Sequence, residues 1–385
     1  MEFLKYAIPL YIGSFFLTFY TIPKIIKVVE FKSLMDDPNK RSSHTKKTPT
    51  LGGISFFYTL IFSLFFIREW DIHDEAIFFV PGLTILFIIG LKDDLVILSP
   101  YTKLVAQLLA IGFIMFNESF RIYSLNGFIG IHEIPFWIFY PAGAFIMLTI
   151  INAYNLIDGI DGLAAIVGTI VLMIYTTIFY LANEYFYALI CLTLNGSLIA
   201  FLGFNFSASK KIFMGDTGSL IVGFIISVLT LKFLALKPES YSELPFFHEN
   251  APIIAISILI VPLFDTARVF AIRLVSKKSP FSPDRNHIHH ILIDYWDMSH
   301  KKASFVIGSF NLLFVALFVV LASISKNIIS GGILIISIII LTYIFFKYDY
   351  SFGSLKRKIM FRNRIGTIKY NVKDKTSSTS KKKDS

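Results

Sequence analysis

Cysteine is nearly missing from this chain. Its single copy, Cys191, falls inside an apolar run, which excludes an internal disulfide and any cysteine-based metal site. Charge is also scarce: Asp, Glu, Lys and Arg make up 16% of the residues, against about 25% in an ordinary soluble domain. With 55% hydrophobic residues and a mean hydropathy of +0.67, a soluble domain of 385 residues is ruled out. No short segments of alternating hydrophobicity recur, so a membrane β-barrel is excluded as well. No small-residue cleavage site follows the first apolar run, which is therefore expected to be a retained span rather than a signal peptide. No internal repeat of the transporter kind is visible.

What the chain does have is apolar runs of about 17–22 residues, the length a helix needs to cross a hydrocarbon core. About eleven spans are expected, at 4–26, 52–68, 76–92, 101–117, 135–154, 162–182, 185–204, 218–236, 251–270, 303–323 and 328–346. The predicted fold class is all-α, a polytopic integral membrane protein. The connections alternate in charge. Lys32, Lys40, Arg41, Lys46 and Lys47 occupy one loop, Lys210 and Lys211 another, and Lys277, Lys278, Arg285, Lys301 and Lys302 a third. The remaining loops are acidic or neutral, as in 69–75 and 239–249. The positive-inside rule then puts the N-terminus outside and the C-terminus in the cytoplasm, in agreement with an odd number of spans.

Much of the net charge of +10 lies after Lys347, in a Lys/Ser/Thr-rich tail. The expected organisation is a transmembrane domain over 1–346 and a basic, disordered cytoplasmic tail over 347–385, close to anionic lipid. A solvated stop-transfer tail explains it without a specific role. Nucleic-acid binding is not expected, because the other basic loops abut spans.

The carboxylates are few and oddly placed. Asp93 and Asp94 close one span; adjacent like charges at a membrane boundary are unfavourable unless a cation or a proton neutralises them. They read as a metal ligand, a general base or both, or more simply as interfacial acids paired with Lys92 and Lys103. Asn152, Asn155, Asp158 and Asp161 are spaced by three, so a continued helix would line them on one face. Two amides and two carboxylates suit a uracil, ribose or sugar edge, whereas a simple helix cap explains one Asp and not the stripe. Asp216, in Phe213-Met214-Gly215-Asp216-Thr217-Gly218-Ser219, reads either as a helix cap or as a metal ligand. With Asp93 and Asp94 it makes three carboxylates, enough for one Mg²⁺ with open positions for pyrophosphate oxygens. In Ser282-Pro283-Asp284-Arg285-Asn286-His287-Ile288-His289-His290, three histidines in four residues raise the question of zinc. His287 and His289 would fall on different faces of a helix and no cysteine is available, so donors to phosphate or sugar oxygens fit better. Residues 36–53 form a basic, glycine-ended loop, which either covers phosphates or is an ordinary cytoplasmic loop.

These motifs together resemble the polyprenyl-phosphate N-acetylhexosamine-1-phosphate transferases, the membrane enzymes of glycosyltransferase family 4. The resemblance covers 1–346 and rests on Thr48-Pro49-Thr50-Leu51-Gly52-Gly53, Lys92-Asp93-Asp94, Asn152 to Leu163, Phe213 to Ser219, and Arg285 to His290, in that order. It implies a bacterial inner-membrane enzyme with its active site on the cytoplasmic face, a UDP-HexNAc donor, undecaprenyl phosphate as acceptor and Mg²⁺ (or Mn²⁺) as cofactor. Carried over by position, Asp93 and Asp94 match the catalytic aspartate pair and Asp216 the metal-binding aspartate. Lys103 matches a phosphate-contacting lysine, and Asn155, Asp158 and Asp161 match positions near the nucleotide. Arg285, His287, His289 and His290 match the motif for donor recognition. The His-Ile-His-His order resembles the GlcNAc-1-phosphate branch; the phospho-muramoyl-pentapeptide branch has adjacent histidines followed by Glu. A secondary transporter is the alternative from another class, and it is disfavoured because the charges gather at one face. The oligomeric state, a homodimer included, is left open.

Overall fold

The computed structural model describes residues 2–32, 34–36, 48–71, 74–277, 287–294, 296–325, 329 and 331–343. Arg285 and the tail over 347–385 lie outside the described residues.

The architecture is all-α, as expected. The helices are α1 (Glu2–Phe31), α2 (Gly53–Phe66), α3 (Ala76–Leu95), α4 (Pro100–Met115), α5 (Phe136–Ile157), α6 (Leu163–Leu181), α7 (Tyr185–Asn205) and α8 (Gly215–Ala235), followed by α9 (Ala251–Ile258), α10 (Ile260–Val275), α11 (Ile288–Asp294), α12 (His300–Ile324) and α13 (Gly331–Tyr343). Met35–Asp36 and Thr48–Pro49 form a two-residue antiparallel ladder, with Met35 opposite Pro49.

Among the described residues, seven helices are long and apolar enough to cross a membrane: α1, α3, α5, α6, α7, α8 and α12. The outward faces of α1 and α12 carry bare side chains such as Leu4, Ile8, Phe16, Leu313 and Leu317, which suit lipid and not water. The other four expected runs differ from simple spans. Helices α2, α4 and α13 are shorter, and α2 covers only about 21 Å at 1.5 Å per residue. The expected span over 251–270 is bent by 66° between α9 and α10. Pro262 has no N–H for the carbonyl of Ile258, so the ladder breaks there; Asn311 of α12 donates its side-chain amide to that carbonyl at 3.4 Å instead.

Helix α8 is the axis of the bundle. Every residue from Thr217 to Phe233 is buried, as a helix apolar on all sides must be. It packs against α2, α3, α5, α6 and α9. Close approach is set by glycine: a Cβ on Gly53 would lie 2.0 Å from the Gly218 nitrogen, so α2 and α8 touch backbone to backbone. The segment before α2 is tied to the one before α8. Phe213 N donates to Pro49 O (2.8 Å), Gly52 N to Phe213 O (3.0 Å) and Gly53 N to Met214 O (2.9 Å). Thr48–Gly53 therefore serves to seat the start of α8, at the end of the bundle where the aspartates gather.

Candidate active site

The start of α8 is capped from another helix. Asp94, in the last turn of α3, accepts from Asp216 N (2.7 Å), Thr217 N (3.0 Å) and Thr217 Oγ1 (2.6 Å). These satisfy two of the amide groups that a helix N-terminus leaves without internal partners, and the negative charge meets the positive end of the helix dipole. Asp216 does not cap its own helix, and Ser219 donates to Gly215 O (3.0 Å) within the same turn. The carboxylate of Asp216 is thereby left to face the site.

There it meets Lys103 and Asn155. Lys103 Nζ lies 3.1 Å from Asp216 Oδ2 and also pairs with Asp93 Oδ2, bridging the two acids. Asn155 donates to Asp216 Oδ1 and lies 2.7 Å from Ser219 Oγ. Asp93 is further fixed by Leu98 N, which donates to its Oδ1 at 2.7 Å. Lys103 reaches the site because Ser99 caps α4 and Pro100 begins it, so α4 turns back beside α3. Behind them, Asn152 and Gln107 exchange side-chain amide hydrogen bonds (3.0 and 3.3 Å) and pin α5 to α4.

The stripe of Asn152, Asn155, Asp158 and Asp161 is helical only in its first half. Helix α5 ends at Ile157, and Asp158 is its C-cap with φ −76° and ψ 53°. The expectation of one continuous helical face is therefore corrected: the two amides lie on α5, and the two acids lie on the turn that follows. Asp161 is engaged by Lys211 Nζ (2.6 Å) and His300 Nδ1 (3.2 Å), and its carbonyl accepts from Ser304 Oγ (2.8 Å). Burial opposes ionisation of Asp161, but His300 and Lys211 outweigh it and hold the carboxyl below its ordinary range. The Asp158 N–H donates to Asn155 O (3.3 Å), but its carboxylate has no hydrogen-bond or ion-pair partner among the described residues. Burial, together with the charges of Asp216, Asp94 and Asp161, pushes it up to about 7.

The histidine segment joins the same cluster. His287 Nδ1 lies 2.7 Å from Asp265 Oδ2, and Ile288 N donates to Asp265 Oδ1 at 2.8 Å. The rings of His287 and His289 stack nearly parallel (centroids 5.6 Å apart, planes at 9°), because His287 sits just before α11 and not within it. The expectation that they occupy different faces of one helix is thus replaced by a stacked pair. His289 is 2% exposed and lies against Gly159, where a Cβ would come within 2.5 Å of its Nε2. Burial lowers the His289 pKa to about 3, so the ring is neutral at physiological pH. His290 is buried and 4.4 Å from His289 between ring centroids.

Asp93, Asp94, Lys103, Asn155, Asp158, Asp161, Asp216, His287, His289 and His290 are therefore gathered at one end of the bundle. Asp265 was not foreseen. Its signal was a lone acid in an apolar run with Arg268 one turn on. Gln107, Lys211 and His300 also join through contacts that spacing does not reveal.

Oxygen-only donors with surplus negative charge suit a hard divalent cation, and the unpartnered carboxylate of Asp158 beside Asp216 fits one. Among the described residues no three acidic, histidine or cysteine side chains converge as a complete ligand set.

Residues 76–234 match the family model of glycosyl transferase family 4. A Bacillus subtilis (strain 168) protein named "Probable undecaprenyl-phosphate N-acetylglucosaminyl 1-phosphate transferase" is 32% identical over 311 residues, which are 80% of this chain and 83% of the relative. The Escherichia coli (strain K12) undecaprenyl-phosphate alpha-N-acetylglucosaminyl 1-phosphate transferase is 29% identical over 275 residues, 69% of this chain and 71% of its own. A Yersinia pestis protein of the same name is 29% identical over 288 residues, 74% and 75% of the two chains. The chain belongs to glycosyl transferase family 4: it is a multi-pass membrane transferase.

Proposed function

We propose that the protein transfers a HexNAc-1-phosphate, specifically GlcNAc-1-phosphate, from a UDP-sugar to undecaprenyl phosphate. The products are undecaprenyl-diphospho-HexNAc and UMP, and the site faces the cytoplasm of a bacterial inner membrane. The observation that carries this reading is the Lys103 bridge between Asp93 and Asp216, beside the unpartnered carboxylate of Asp158. A lysine among surplus acids at the end of a membrane bundle suits phosphate oxygens and a divalent cation together.

An oxygen of the acceptor phosphate attacks the phosphorus that carries the sugar. The bond from that phosphorus to the oxygen bridging it to the uridylyl phosphorus breaks, and UMP leaves with the bond's electron pair. Lys103 offsets charge on the oxygens of the transferring group, and Asn155 holds Asp216 in place. Asp93 is the better candidate to accept a proton from the acceptor phosphate, because the Asp94 carboxylate is committed to the start of α8. Asp216 and Asp158 would hold Mg²⁺ (or Mn²⁺), which when bound would neutralise pyrophosphate charge.

The test is UMP release by purified protein given UDP-GlcNAc, UDP-GalNAc or UDP-MurNAc-pentapeptide, each with and without undecaprenyl phosphate. Release from UDP-GlcNAc that requires the lipid is expected. Lipid-independent release, or preference for the muramoyl donor, would reject the assignment.

A further inference from the structure

Asp265 is 2% exposed, sits in the middle of α10 and belongs to none of the motifs that make up the site above. Its two oxygens hold two different things. Oδ2 takes the ring of His287 (2.7 Å), and Oδ1 takes the backbone N–H of Ile288 (2.8 Å), which opens α11. Arg268 Nη2 lies 3.7 Å from Oδ1 and supplies compensating charge. The bend between α9 and α10 delivers the acid to this place. A carboxylate only accepts, so His287 must donate through Nδ1, which fixes the tautomer and leaves Nε2 as the ring's remaining polar atom. The consequence passes on by contact, since His287 stacks on His289, and His289 packs against Gly159 beside Asp158.

We propose that Asp265 is a positioning residue for the sugar-nucleotide donor, acting through His287 by fixing its tautomer and ring plane. The proposal rests on the transferase reading above, which left this acid without a role. A plain structural role is the competitor: Asp265 would merely anchor the start of α11 through Ile288 N.

Asp265→Asn separates the two. The asparagine oxygen still accepts from Ile288 N, but its NH₂ faces His287 Nδ1. That nitrogen must then accept, and the proton moves to Nε2. A mere anchor survives this change; a tautomer-fixing group does not. With ¹⁵N-histidine protein, the protonated nitrogen of His287, assigned by its loss in His287→Ala, is expected to change from Nδ1 to Nε2. Donor kcat/KM is expected to fall by about tenfold or more, as for other groups that orient a functional histidine, and UMP binding measured by calorimetry is expected to weaken with it. The acceptor KM should not change. In a His287→Ala background, Asp265→Asn should add no further loss. Unchanged donor kinetics and tautomer in Asp265→Asn would overturn the proposal, as would a loss that persists in full without His287. If Asp265→Asn does not fold, Asp265→Glu serves. It keeps both acceptors and displaces the ring, so donor KM should rise with acceptor KM unchanged, and equal losses in both would refute the role. The ¹⁵N signal does not depend on turnover. A wild type that releases no UMP from any UDP-sugar therefore rejects the transferase reading, while the tautomer result judges Asp265 separately.

Discussion

Asp94→Asn is the substitution that best separates chemistry from architecture at this site. Asp94 accepts three hydrogen bonds from the first turn of α8, two at Oδ2 and one at Oδ1. Asparagine retains one oxygen. Placed to keep the pair from Thr217, it turns its NH₂ towards the Asp216 amide, so donor faces donor across what was a 2.7 Å hydrogen bond. A hydrogen bond to an ionised group contributes about 1.5–3 kcal/mol, and an unsatisfied buried donor costs a similar amount. A destabilisation of about 2–3 kcal/mol is expected, and it should be global because α8 is the axis of the bundle. Asp216→Asn is expected to behave differently. Asn155 can keep its hydrogen bond to the remaining oxygen, and Lys103 keeps Asp93, so little stability is lost while the charge is removed.

The single cysteine supplies the assay. Cys191 is wholly buried on α7, so a fluorogenic thiol dye reports unfolding and nothing else. In detergent, Asp94→Asn should melt several degrees below wild type, and UMP release should fall in the protein that remains folded. Asp216→Asn should melt close to wild type with activity lower by orders of magnitude. If Asp94→Asn melted with wild type while losing as much activity as Asp216→Asn, Asp94 would be a reacting group and its role as the cap of α8 would be wrong.

Three further outcomes are expected. Asp158 has its folded pKa raised from 3.8 to about 7, so between those values the folded state holds a proton that the unfolded state does not. In metal-free buffer its contribution to stability is therefore intact below pH 3.8 and is lost as pH rises to about 7. Asp158→Asn should melt progressively higher than wild type across that window; parallel melting curves would refute the shift. Asp161 has the opposite sign, because its lowered pKa gives stability that is present above its ordinary value and lost only in acid. Asp161→Asn should consequently destabilise at neutral pH, and a neutral or stabilising result would remove the Lys211–His300 clamp as a source of stability. For orientation, in a Cys191→Ser background a membrane-impermeant maleimide on intact cells should label a cysteine at Ser242 and spare one at Lys210. The reverse pattern would invert the topology.

The large features were legible in the sequence for simple physical reasons. Apolar runs of membrane length announce helices, and acids at the ends of such runs are costly enough to mark a site. Asp93, Asp94, Asp158 and Asp216 stand out that way, and the structure gathers them at one end of the bundle. Their division of labour was not legible, because it depends on which side chain from a distant helix reaches which backbone amide. Asp94 is separated from Thr217 by 123 positions, and no periodicity links them. The histidine pair failed for a local reason. A continuous helix would separate the two rings, but His287 precedes α11, and Asp265 holds its ring where it stacks on His289. Asp265 lies inside an apolar run long enough to span, and a charge in such a run is itself a signal.

Lys232, in the last turn of α8, is a second charge inside an apolar run. It is 6% exposed, with its Nζ 3.4 Å from Glu75 and 3.5 Å from Glu184, and 4.8 Å from the centre of the Tyr187 ring. Glu75 is the residue that precedes α3, and Asp94 lies near that helix's other end. Helix α3 therefore grips α8 at both ends with a carboxylate, once on the helix amides and once on the lysine. A lysine buried without a partner would cost several kcal/mol, so the pair at the far end tolerates only a narrow range of registers between the two helices. Sliding α3 by one residue would move Asp93 and Asp94 by about 1.5 Å along the axis, enough to break the cap on α8 and the Lys103 bridge together. An ion pair far from the aspartates thus helps to hold them in place, which gives a physical reason for a lysine so deep in an apolar helix.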